Sequence, residues 1–210
     1  MISIDTDRFA DQVYKALKAA FSEVICANAN QSFYAFALFT DNSLQFLHGV
    51  ANTEEALALT VKHYRETVDL KYGCTSTRAR MRWSYGDWGF FPEVGAEHFE
   101  EINKVLRANF DDDMEKFETG LKSLWTAILN GFRKLEKERF FGSEPERSKI
   151  TLLLVGDLPA ELVESWVLAL NPADVADRFI NWNYNEPDCN DPARSTTQLR
   201  KPHNSQPDPR

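Results

Sequence analysis

The sequence predicts an α+β fold: a single domain with a mainly antiparallel or mixed sheet of about four or more strands packed with several amphipathic helices. Three observations lead there. Helically spaced apolar stripes and short, nearly continuous apolar runs are intermixed without regular βαβ alternation. Hydrophobic residues make up 43% and aromatics 12% of the 210 residues, which is ample for a core at this length. No internal repeat or Gly-rich linker divides the chain.

Phe9, Val13, Leu17, Phe21 and Val24 recur at helical spacing and predict an amphipathic helix from about Asp7 to Ala27, ended by the polar "NANQ". "SFYAFALFT", Ser32 to Thr40, is apolar throughout, as expected of a central strand covered on both faces. "DNS" is turn chemistry, and Leu44 to Val50 returns as the second strand of a hairpin. Asn52, with Glu55 three residues on, reads as the cap of a helix whose stripe Leu57, Val61, Tyr64 and Val68 runs to about Leu70. "TRARMRW", from Thr77, alternates: Ala79, Met81 and Trp83 fall on one face of a strand, and Arg78, Arg80 and Arg82 on the other. Phe99, Ile102, Val105 and Leu106 predict a short helix, and Met114 to Leu135 a longer one that starts in the acidic "DDD". Ile150 to Asp157 reads as a buried strand, followed by helices opening at Pro159 and after Asn171. The expected domain spans residues 1–185. Residues 186–210 lose apolar periodicity, carry several prolines and are expected to form a disordered polar tail.

The net charge of −8 argues against nucleic acid and anionic membrane surfaces, which need clustered positive charge, and favours a protein partner, a basic one being the natural complement. The acidic first residues and the absence of a long apolar run predict a cytoplasmic protein. Cys26, Cys74 and Cys189 fit reduced thiols, two of them in or near the core. His48, His63, His98 and His203 form no metal-ligand pattern, so neither a metal nor a cofactor is expected.

The segments "FYAFALFT", "ANTEEAL", "RWSYGDW", "FFGSEPERSKITLLLVGD" and "SWVLALNP" occur in this order between about Phe33 and Pro172. As a collinear set they resemble a bacterial family labelled domain of unknown function 4303. Tyr85, Gly86 and Asp87 depart from the segment nearer Ser-Pro-Ala-Glu-Trp that usually follows Arg-Trp in that family. The resemblance implies no established activity; it implies an association with the neighbourhoods of bacterial toxins and their immunity proteins.

"RWSYGDWGFFP", Arg82 to Pro92, is the most unusual stretch and has two readings. Either its aromatics cover an open end of the core, or Arg82, Tyr85, Asp87 and Trp88 contact a partner, because Trp, Tyr and Arg concentrate at interface hot spots. Trp83, in phase with Ala79 and Met81, is expected to be buried, which leaves Trp88 as the surface contact. Asp111, Asp112 and Asp113 would steer a basic partner. Arg78, Arg80 and Arg82 form a candidate anion-binding face. Gly142 reads as a helix C-cap and Arg147 as a structural ion-pair partner. Asp157, Glu97 and His98 are the titratable groups considered for catalysis, but no nucleophile motif accompanies them and no catalytic residue is assigned. The predicted role is a protein-binding module of the immunity-protein kind. The alternative is a small-molecule or nucleotide-dependent enzyme using the arginine-lined sheet face, and a structural subunit of a larger complex is a third reading.

Overall fold

The long N-terminal helix is where sequence and structure agree most closely. In the computed structural model, which describes residues 5–70, 75–108 and 114–182, α1 spans Thr6–Ala27. The Asp5 side chain caps it by accepting from the Asp7 and Arg8 amides. Its stripe Phe9, Val13, Leu17 and Phe21 is fully buried against α5 (Met114–Lys137), whose Leu124, Ile128, Phe132 and Leu135 face it. Gly131 permits the close approach of the two helices: a Cβ there would sit 2.7 Å from the Ala10 carbonyl oxygen and 2.9 Å from Val13. Lys18 pairs with Glu138 at 2.7 Å, and Lys134 with Asp11, along the solvent side of this helix pair.

The sheet contains β1 (Phe33–Asp41), β2 (His48–Thr53), β3 (Phe90–Val94) and β4 (Thr151–Asp157) in the order β3-β2-β1-β4. β1 and β2 form the expected antiparallel hairpin, β3 adds antiparallel to β2, and β4 lies parallel to β1 with Ala35 opposite Thr151 and Asp41 opposite Asp157. At Gly156, φ is +143°, and a side chain there would collide with the Thr40 carbonyl oxygen across the ladder. Two cores result. Phe36 and Leu38 project toward α1, α4 (Glu100–Ala108) and α5; Ala35, Ala37, Val50, Leu153 and Val155 project toward α2 (Glu54–Thr67), α3 (Thr75–Trp83) and α7 (Ala173–Ile180). α6 (Ala160–Leu170) flanks β4 and contributes to both, Trp166 and Leu170 to the first and Val167 to the second.

Four expectations are corrected. Residues 77–83 are helical, not extended. Ala, Arg and Met are good helix formers, and an alternating pattern this short also fits one helical face. The helix sets Arg78 and Arg82 one turn apart over the Glu54 carboxylate, at 3.8 and 2.5 Å. The second hairpin strand starts at His48 rather than Leu44, whose φ is +52° and whose side chain enters the core from the connecting loop. Thr53, not Asn52, caps α2 by accepting from the Ala56 amide, while Glu55 turns back to the Ser32 amide and hydroxyl. α5 ends in a Schellman turn with Arg139 in the left-handed position (φ +56°), where the Phe140 amide bonds to the Leu135 carbonyl; Gly142 closes the following turn. β3 was not anticipated. Pro92 argues against a strand interior, but β3 is an edge strand, where a missing donor costs little.

Candidate interaction surface

The stretch Arg82–Pro92 is fastened to the sheet by a connected set of hydrogen bonds. The buried Tyr34 hydroxyl donates to the Arg82 carbonyl (2.9 Å) and accepts from Asn52 Nδ2 (2.7 Å). Asn52 Oδ1 accepts from the Gly89 amide, and Trp88 Nε1 donates to the same Arg82 carbonyl at 3.0 Å. Burial raises the Tyr34 pKa well above its ordinary value, against the opposing pull of the Arg82 charge, so the hydroxyl keeps its proton and its donor role. The Arg82 guanidinium lies 3.9 Å from the Tyr34 ring centre and forks onto Glu54 at 3.0 and 2.5 Å. Asp87 accepts from the Tyr64 and Ser84 hydroxyls, both at 2.7 Å.

This arrangement reverses the expected roles of the two tryptophans. Trp88 is 4% exposed, with its only side-chain polar atom satisfied. Trp83, on the last residue of α3, is only half-buried and meets Tyr34 and Phe179 edge-on. The arginine face of the sheet does not exist, because its three residues lie on α3, with Arg78 and Arg82 turned to a carboxylate.

A different surface emerges at the far end of the same sheet face. Phe39 near the end of β1, His48 at the start of β2 and Phe91 on β3 share that face; Phe46 reaches it from the β1–β2 loop and Tyr85 from the turn Tyr85–Asp87. All five side chains are partly exposed. Ring centres lie 5.1 Å apart for Phe39–Phe46, 5.0 Å for Phe39–Phe91, 5.8 Å for Phe39–Tyr85 and 5.4 Å for Phe46–His48. His48 Nδ1 is shielded from water yet makes no hydrogen bond among the described residues; the nearest carboxylate, Glu93, is 3.5 Å away. Burial depresses the imidazole pKa, against the opposing pull of Glu93. Of the nominated partner contacts, Tyr85 belongs to this cluster and Asp87 closes the turn that carries it. Phe39, Phe46, His48, Phe91 and Glu93 were not nominated.

Asp157 ends β4 opposite Asp41, on the same end of the sheet. Glu97 and His98 lie elsewhere, in the turn Ala96–Phe99, where His98 Nε2 meets Glu23 of α1 at 2.8 Å. Glu23, Glu97 and His98 hold ligand-type atoms within 4.8 Å of one another, and the His98–Glu23 contact pins this turn to α1. Arg147 is an ion-pair partner as expected, and more. It is 4% exposed, and it donates to both Glu136 oxygens, the Ile150 and Leu170 carbonyls and Asn171 Oδ1. Cys26 is exposed. Asp111, Asp112 and Asp113, the segment from Glu186 onward, and Cys74 and Cys189 lie outside the described residues. Among those residues no helix is long and apolar enough to cross a membrane.

Neither the curated proteins nor the solved structures searched contain a match to this chain. A family model does match, over residues 13–172, which covers most of the chain and every strand described above. The chain therefore belongs to the family described as Domain of unknown function (DUF4303).

Proposed function

We propose that this chain is a protein-binding module of the bacterial cytoplasm, acting in the manner of an immunity protein that neutralises a toxin. The partly exposed aromatic cluster of Phe39, Phe46, His48, Tyr85 and Phe91 carries the reading. Rings gathered into one partly exposed patch at the open end of a sheet are the kind of surface that marks an interaction site, and they supply large, stiff contact area at small entropic cost. The family resemblance adds the immunity context. Residues 186–210 serve in this reading as a polar tail beyond a domain of residues 1–185.

The test is affinity capture from the native cell with the wild-type chain and with a Phe46→Ala/Tyr85→Ala variant of unchanged secondary structure. A stoichiometric partner held by the wild type and lost by the variant supports the proposal. A partner held equally by both, or no stoichiometric partner, overturns it.

A further inference from the structure

Charge is distributed very unevenly around the aromatic cluster. No Lys or Arg occurs between Lys18 and Lys62, between Arg82 and Lys104, or between Lys149 and Arg178. These three intervals contain all four strands and every ring of the cluster. Carboxylates are not excluded from them: Asp41, Asp87, Glu93 and Asp157 fall at or beside this end of the sheet, and Glu161 follows on α6. Asp41 and Asp157 lie opposite each other in the parallel ladder, and Glu93 stands beside His48. The described cations are gathered elsewhere, on α1, the C-terminal half of α2, α3, α4, α5, the loop before β4, and Arg178 of α7.

We infer that this surface recognises a cationic segment of a partner protein, with Arg or Lys side chains stacked on the rings of Phe46, Tyr85 and Phe91 and paired with Glu93 and Asp157. The inference rests on the reading of the cluster as a protein-binding surface and names the chemistry of what it binds. An aromatic ring attracts a cation through its face, and a guanidinium can lie on the ring while donating to a carboxylate at its rim. The Arg82 guanidinium already does both within this molecule, lying on Tyr34 and forking onto Glu54. Among the described residues neither Glu93 nor Asp157 pairs with a Lys or Arg, so both carboxylates are open to an incoming cation. The half-buried His48 has a depressed pKa and adds no positive charge at neutral pH.

The experiment measures fluorescence anisotropy of a labelled Arg-Gly repeat peptide, with a Glu-Gly repeat peptide as control, against the full chain. Saturable binding of the Arg-Gly peptide that weakens with added salt is expected. A Glu93→Gln/Asp157→Asn variant should lose about tenfold in affinity, whereas Glu144→Gln/Glu146→Gln, with the same change in net charge but located before β4 at the other end of the sheet, should lose little. Equal losses in the two variants would reduce the effect to overall charge and overturn the inference, as would no binding at low salt. If the peptide binds only when Arg194, Arg200 and Lys201 are changed to Gln, the chain's own terminal segment occupies the surface, which also overturns it. None of these failures alters the capture experiment on Phe46 and Tyr85, so an apolar or acidic partner would still be found there.

Discussion

The two ends of the β1–β4 ladder are built on opposite principles. Before β4, Arg147 is almost fully enclosed, and each of its partners accepts from a charged donor. Asn171 completes that end by accepting from the Leu152 amide and donating to the Leu152 and Val167 carbonyls, so a side chain stands in for a further strand along the edge of β4. At the other end, aromatic rings lie partly in water and His48 Nδ1 has no hydrogen bond among the described residues. Satisfied buried polar groups make a lock, and unsatisfied groups beside exposed rings leave interactions still to be made. This contrast, more than any single residue, separates the structural part of the molecule from the part assigned to binding.

The largest effect should come from the locked end. Arg147→Ala leaves Glu136 and two carbonyls without their donor and should destabilise by about 3–5 kcal/mol in denaturant melts. Arg147→Lys should recover only part of this, because an ammonium cannot reach the same fork of acceptors. A loss below about 1 kcal/mol would show that water replaces the network, and the two ends would no longer differ in kind.

Next comes the wall between them. Trp88→Ala should cost about 3–5 kcal/mol as the deletion of an enclosed aromatic, and Trp83→Ala distinctly less, because Trp83 is already partly in water. The reverse order in parallel melts would restore the assignment drawn from the strand pattern.

Phe46→Ala, at the open end, should cost less than about 1 kcal/mol in the same melts, in keeping with a ring that covers the core only partly. A cost like that of Trp88→Ala would make the cluster a lid and remove its claim to binding.

The smallest effect concerns pH. A depressed folded-state pKa means that the folded chain binds fewer protons at His48 than the unfolded chain does. His48 should therefore add no pH dependence to stability above its ordinary pKa of 6.5, and stability should decline as the pH falls from there toward the lower folded value. The His48→Gln variant should lose less stability than the wild type between about pH 7.5 and pH 5.5, since every other titrating group is common to both. Identical declines would mean that the imidazole is freely hydrated.

Much of the fold was legible because its elements carry long, one-sided patterns. α1 and α5 repeat their apolar stripes over several turns, and β1 and β4 are apolar runs too short for helices and covered on both faces. Errors fell where the pattern was short or its context non-local. Alternating Arg and apolar residues over less than two helical turns cannot separate helix from strand, so α3 was misread. β3 was hidden by Pro92, which is harmless only because no strand among the described residues pairs beyond it in the sheet. Of the interaction surface, Tyr85 and Asp87 were visible as part of an odd aromatic stretch. Phe39, Phe46, His48 and Glu93 were not, since they approach Tyr85 only when the hairpin and the edge strand come together. One signal was nonetheless present in the chain: the long intervals without Lys or Arg.

The sequence by itself determined the α+β class, the positions of most helices and of β1 and β4, and the structural role of Arg147, because periodicity, capping and composition act over neighbouring residues. Only the tertiary structure decided that Trp88 is buried and Trp83 partly exposed, that Arg82 lies on Tyr34 instead of a solvated sheet face, and that five aromatic groups from separate segments form one surface. Which side of a ring meets water depends on what folds against it from elsewhere in the chain, and no local pattern encodes that neighbour.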